Sequence, residues 1–279
     1  MMDVIYEIIE TVLPFSWTKY IFMKNALLAI LLITPIFGIL STMVVNNKMA
    51  FFSDSIGHSA LTGVGIGVLL GLKSPVWSMV LFSVVFSIFI VIIKNTNTIS
   101  TDTIISVFSS TAIAIGLIII TKAGFGKYSN YLIGDLLSIT PAEIGLLGAL
   151  LVVVIMIWII MFNRLLIISI NPSLAGSRGI NVRMIEILFT IMIAIVVTVS
   201  LRWIGLLIIN SLLILPAAAA RNISRNIRQY HIWSLLISFI SGLAGLILSY
   251  YWGAAAGATI ALLCAVCYFI TFALHNKFV

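Results

Sequence analysis

Asp54 and His58 stand four residues apart in the run Phe52-Ser53-Asp54-Ser55-Ile56-Gly57-His58-Ser59. On an α-helix that step places both side chains on one face, a turn apart. A carboxylate and an imidazole so placed offer an oxygen and a nitrogen donor to one divalent cation, a combination suited to zinc or manganese. The same pair can equally be a structural Asp/His couple or a proton relay, and the spacing alone leaves these alternatives open. Thr62 continues the row by a further turn. Beside it Ser55, Ser59, Gly63, Gly67 and Gly71 recur every four residues, a stripe of small side chains along which another helix can approach closely. Each glycine by itself speaks only for tight packing. A polar pair bordering such a stripe adds the expectation of a translocation path, with Ser59, Thr62, Gly63 and Gly67 along it.

Other polar residues carry less. Asp135 follows Gly134 and precedes Ser138-Ile139-Thr140-Pro141, the setting of a turn or helix cap. Asp102, Glu143, Glu186, His231 and His275 fall near expected helix ends and read as interfacial groups. Cys264 and Cys267 lie three apart inside an apolar run, as small core residues do; two cysteines build neither a disulfide framework nor a four-ligand metal knuckle. The chain has no G-x-x-x-x-G-K-S/T phosphate loop, no H-E-x-x-H and no G-x-S-x-G. If transport here is driven by ATP, the ATPase is a separate chain.

The elements that position these residues are membrane helices. Of 279 residues, 62% are Ala, Val, Ile, Leu, Met, Phe, Trp, Tyr or Cys and 8% are charged, with a mean hydropathy of +1.26. Soluble domains run about 45–50% apolar and about 25% charged. Fifteen Lys and Arg with eight Asp and Glu cannot cover a soluble surface, which excludes a soluble enzyme or nucleic-acid binder despite a formal charge of +7. The basic excess is a topology signal of cytoplasmic loops.

A hydrocarbon core about 30 Å thick takes about 20 helical residues. Stretches of that kind lie near 26–45, 52–72, 75–93, 104–121, 143–163, 184–201, 203–220, 231–250 and 253–273, giving eight or nine crossings in an all-α integral membrane protein. Gly205 and Pro216 interrupt the 203–220 stretch, so that helix is expected to be buried against protein. The whole chain, 1–279, reads as one membrane domain. Residues 1–14 place apolar positions 4, 5, 8, 9, 12 and 13 against acids at 3, 7 and 10, the pattern of a short interfacial helix ending before Pro14, with no cleaved signal. Arg164, Arg178 and Arg183, then Arg221, Arg225 and Arg228, mark two cytoplasmic loops; Lys48, Lys94 and Lys277 then lie inside, and Lys73, Lys122 and Lys127 outside. Within the first of these loops Asn171 can cap a short helix, Pro172 suits its first position and Gly179 can close it.

The run Asn47 to Val64 resembles a segment of zinc, manganese and iron ABC transporter permeases (ABC-3 type), in which a basic pair precedes a small-Asp-x-x-x-His-x-x-x-x-Gly pattern. The resemblance continues in Gly134-Asp135-Leu136-Leu137, in Asn171 to Gly179 and in Gly205 to Arg221, and covers nearly the whole chain in the same order. One departure is Asn46-Asn47-Lys48 where members commonly carry Arg-Arg.

The resemblance implies an ABC importer permease, a translocation subunit and not an enzyme, in a prokaryotic plasma membrane, forming a homodimer. Its partners would be a cytoplasmic ATP-binding subunit and an extracytoplasmic metal-binding protein. Asp54 and His58 become the metal-contacting pair, and 171–180, with Asn171, Pro172, Ala175 and Gly179, becomes the coupling helix. Pro216 would help shape the pathway or its cytoplasmic end. The divalent metal is cargo, with no resident cofactor; zinc is the first expectation, manganese and ferrous iron the alternatives. A cobalamin or iron-siderophore permease and an intramembrane enzyme using the Asp/His pair are the rival readings.

Overall fold

The structure, a computed structural model, describes residues 2–72, 74–94, 100–123 and 134–278. The described residues form α-helices joined by turns: α1 (Met2–Val12), α2 (Ile21–Asn46), α3 (Ala50–Leu69), α4 (Val76–Lys94), α5 (Thr101–Ala123), α6 (Pro141–Ile170), α7 (Pro172–Ser177), α8 (Val182–Ile223), α9 (Ile227–Trp252) and α10 (Ala256–Phe278). Seven of them (α2, α4, α5, α6, α8, α9 and α10) are long and apolar enough to cross a bilayer. This is a multi-pass membrane protein.

The 42 residues of α8 make sense only as two pieces: at 1.5 Å per residue a straight helix would span about 63 Å, twice a bilayer core. Its backbone breaks at Gly205 (φ 76°, ψ 163°), a conformation that only a residue without Cβ adopts readily. Pro216, expected to interrupt this stretch, instead sits buried inside continuous helix. The expectation of burial is met, since most of 203–220 is enclosed.

The helices fall into two compact units. The first comprises 1–42, 134–155 and 203–279. In it α1 ends before Pro14 and is tied to the start of α2: Glu10 pairs with Lys24, and the Tyr6 hydroxyl donates to Asn25 Oδ1 at 2.5 Å. Val4, Ile8 and Val12 form an exposed apolar row one turn apart. α2 and α9 pack antiparallel through small residues, with Ser234 Oγ donating to the Gly38 carbonyl at 2.9 Å and Ser238 Oγ to the Thr34 carbonyl at 2.9 Å. Buried hydroxyls in apolar surroundings must find such acceptors, so the small-residue seam is both close-packed and hydrogen-bonded. α9 continues against α10, where Thr259 Oγ1 donates to the Gly245 carbonyl at 2.8 Å.

The second unit comprises 43–133 and 156–202. Its centre is α3, which packs against both α4 and α5. α3 has spanning length, but its Asp, His, serines and glycines leave it outside the set of seven strongly apolar helices.

Candidate functional site

α3 starts from a tight reversal after α2, in which Lys48 N–H donates to the Val45 carbonyl and Met49 N–H to the Val44 carbonyl. These two bonds are the Schellman closure of a helix, here with Lys48 in the left-handed region (φ 56°) where glycine is usual. From that start α3 is sheathed almost completely. Between Phe51 and Gly65 every position is buried except Phe51, Asp54 and His58. Those three are at i, i+3 and i+7, one face of the helix. The open strip of an otherwise enclosed helix therefore carries the acid and the imidazole.

Asp54 Oδ1 and His58 Nε2 are 3.7 Å apart, and their side chains are 34% and 39% exposed. Two donors on a tetrahedral ion with bonds of about 2.1 Å lie about 3.4 Å apart, so the pair needs only a few tenths of an ångström of adjustment to grip one cation. Among the described residues there is no group of three or more His, Cys, Asp and Glu side chains that could hold a metal ion. Two side-chain donors make an open site.

The small-residue stripe packs on α4. A Cβ on Gly63 would come within 2.5 Å of Met79 Cα, and one on Gly67 would run into Ser78 and Pro75. Ser59 is buried and donates to the Ile56 carbonyl at 3.1 Å. Gly71 lies beyond the end of α3, with nothing within 4 Å of where a Cβ would stand, so the stripe stops at Gly67. Thr62 also leaves the Asp54/His58 face. Successive four-residue steps rotate about 40° each, and two of them bring Thr62 into the contact with α5, where its hydroxyl donates to the Ala112 carbonyl.

Some interfacial charges are gathered by the fold. Glu186 Oε1 meets Lys94 Nζ at 3.4 Å across 92 residues, joining α4 to α8. Both line a cavity of about 370 Å³ with Asn47, Lys48, Thr101 and Asp102. Asp102 and Glu186 are thus cavity-lining groups and not isolated helix-end charges, which no local spacing could indicate.

Gly134 presses against the Ile204–Gly205 peptide at the break in α8, joining two sequence motifs in the first unit. Asp135 sits exposed at the N-cap of a 3-10 turn without a side-chain capping bond. Cys264 is buried, as expected of a core residue, while Cys267 is half-buried with its Sγ 3.7 Å from Ser241 Oγ. Lys73 and Lys127 lie outside the described residues, as do the side chains of His275 and Lys277.

α7 is built as its residues require. Asn171 Oδ1 accepts from Ser173 N–H at 2.9 Å and Leu174 N–H at 3.3 Å, and Pro172 takes the first position. Its end is a Schellman closure: Ile180 N–H donates to the Ala175 carbonyl, Gly179 N–H donates to the Gly176 carbonyl, and Gly179 takes the left-handed conformation (φ 74°). Ala175 is fully buried while Pro172, Ser173, Leu174, Gly176 and Ser177 are exposed. One small side chain anchors the helix and the rest forms a surface.

Comparison with known proteins agrees with this architecture. The high-affinity zinc uptake system membrane protein ZnuB of Haemophilus influenzae is 31% identical over 247 residues, covering 88% of this chain and 94% of that protein. The manganese import system permease protein ScaB of Streptococcus parasanguinis is 27% identical, covering 93% and 92%. The solved structure of PsaBC from Streptococcus pneumoniae in complex with Fab superposes with a TM-score of 0.81 at 25% identity, over 98% of this chain and 95% of that one. Residues 19–275 match the ABC 3 transport family, and the chain belongs to it.

Proposed function

We propose that this chain is the membrane-spanning permease subunit of an ATP-driven importer for a divalent metal ion, in the plasma membrane of a prokaryote. One observation carries the proposal: the only open strip of the sheathed part of α3 presents Asp54 and His58 at a separation that fits one cation. Membership of a transport family, and relatives named for zinc uptake and manganese import, support the class of cargo. Zinc is the first candidate, with manganese and ferrous iron next, because a carboxylate and an imidazole accept all three.

Counting α3 once and the two arms of α8 separately gives nine crossings. With the Arg-rich segments inside, the N-terminus lies outside, the C-terminus inside, and Lys48, Lys94 and α7 share the cytoplasmic end. There α7 acts as the coupling helix: its exposed face, with Leu174 at 44% exposure, docks on a separate ATP-binding subunit. ATP-driven closure of two such subunits moves the coupling helices of a permease homodimer and opens the Asp54/His58 strip alternately to each side. An extracytoplasmic metal-binding protein delivers the ion. Water or the second protomer completes the ion's shell, and two donors per chain allow release where a closed four-ligand zinc cage would trap it.

The test is whole-cell metal content by mass spectrometry under metal limitation. Cells lacking the gene are complemented with the wild type or with Asp54→Ala/His58→Ala at equal membrane levels. One divalent metal is expected to fall in the deletion, to return with the wild type and to stay low with the double variant. Full restoration by the double variant would overturn the proposal.

A further inference from the structure

α5 packs alongside α3, the helix that carries Asp54 and His58. α3 and α5 touch at Thr62 with Ala112 and Gly116, and at Gly65 with Gly116 and Ile119, while Phe51 lines a surface pocket with Asp102, Thr103, Ser106 and Val107. The contacts climb both helices in the same order, so the two run parallel. The offset in residue number runs from 50 at Thr62–Ala112 to 54 at Gly65–Ile119. Its midpoint sets Ser106 level with Asp54 and Ser110 level with His58.

Ser106 and Ser110 are both exposed, four residues apart and hence on one face of α5. Neither hydroxyl is hydrogen-bonded to another described residue, whereas Thr111 and Thr121 on the same helix return theirs to the Val107 and Leu117 carbonyls at 2.8 and 2.6 Å. A hydroxyl facing hydrocarbon is stabilised by such a bond to its own backbone; one left open in the second or third turn of a spanning helix, as here, calls for a polar neighbour from outside the helix. At the depth of an Asp/His pair that neighbour is the hydrated ion.

We propose that Ser106 and Ser110 line the path opposite Asp54 and His58 and accept hydrogen bonds from the water molecules of the partly hydrated divalent cation. Asp54 and His58 supply the direct donors, and the two serines orient the remaining shell. This rests on the reading of Asp54 and His58 given above, and the experiment separates the two.

ATP-driven uptake of radioactive zinc is measured in vesicles holding the complete transporter, with permease at equal levels. Ser106→Ala/Ser110→Ala is expected to lower uptake at subsaturating zinc about five- to tenfold, while Ser106→Thr/Ser110→Thr, which keeps both hydroxyls, stays within about twofold of the wild type. Wild-type uptake by the alanine variant overturns the inference, and so does equal loss in the threonine variant. Asp54→Ala/His58→Ala is run alongside. If it transports normally, the α3 reading falls first; if it is inactive while the serine variants are normal, only the α5 inference falls. As a readout independent of uptake, Ser106→Cys and Ser110→Cys, in a chain carrying Cys264→Ala and Cys267→Ala, are expected to react with a charged water-soluble thiol reagent. Ile115→Cys, half a turn away on the exposed apolar side, is not. Equal labelling of all three, or none, contradicts the proposal.

Discussion

α3 and α6 are both long enough to span a membrane and differ in almost everything else. α6 is the most apolar of the seven strongly apolar helices, with a mean hydropathy of 3.0, and only 28% of its apolar window is buried. Leu146, Val152, Val153, Met156, Ile159 and Ile160 stand on its exposed surface. α3 falls outside that set, yet 13 of its 20 residues are buried. Apolar composition is needed where a helix meets lipid; a helix sheathed by protein on most sides can carry a run of glycines and serines in its place, with its acid and imidazole confined to the one open strip. The acid and the imidazole sit on the less hydrophobic helix, on the one strip that its neighbours leave open.

The sharpest way to break this contrast is to put one bulky side chain into each helix. Gly63→Leu drives a side chain into the Met79 backbone of α4, whereas Gly145 and Gly148 on α6 have nothing within 4 Å of a Cβ. Gly63→Leu is expected to abolish accumulation of folded permease in the membrane, and Gly145→Leu to leave both accumulation and thermal midpoint at or above the wild-type level. Quantitative detection in membranes and the Tm of purified protein read both. Next in size is a charge on α6: Val153→Asp puts an acid on the exposed apolar face, away from any polar partner such as His58 gives Asp54 on α3, at about 2.5–3.5 kcal/mol of insertion free energy. Its effect is read as reduced membrane integration in a glycosylation-mapping assay, and normal integration would remove the distinction drawn between the helices.

A smaller effect belongs to the Lys94–Glu186 pair, whose side chains are 32% and 20% exposed. Partial solvent screening limits the loss in Lys94→Met to about 1 kcal/mol, read as a lowered Tm, with Glu186→Gln similar and the double variant less than additive. The smallest concerns α7. Asn171→Ala removes the acceptor for two backbone N–H groups and costs about 1 kcal/mol locally. Its expected signature is weaker coupling, seen as fewer ions moved per ATP hydrolysed, with the Tm unchanged.

Much of this was legible in the sequence because it depends on short separations. The Asp54/His58 face, the cap at Asn171 and the left-handed Gly179 all follow from steps of three or four residues, whereas α6 runs on to Ile170, past the stretch expected to end near 163. The Lys94–Glu186 pair and the cavity it shares with Asp102 join segments dozens of residues apart, and nothing local indicates them. Thr62 marks the limit of the periodicity argument: a step of four drifts by about 40° per turn, so a row that begins at Asp54 has left the open strip two turns later. Pro216 marks another. Proline removes one N–H and disfavours helix, but a helix enclosed by its unit retains its course through it. Gly205, with its positive φ, is where the backbone turns instead.

The most direct measurement uses the purified transporter, permease with its ATPase and binding-protein partners, reconstituted in vesicles. Asp54→Asn and His58→Gln preserve size and helical packing while weakening the donors. Zinc accumulation is expected to fall by at least about tenfold in each and to vanish in the pair, with the Tm unchanged and ATP hydrolysis persisting. Accumulation at the wild-type rate by the double variant, with the complex intact, would contradict the assignment of the open strip of α3 as the place where the ion is held.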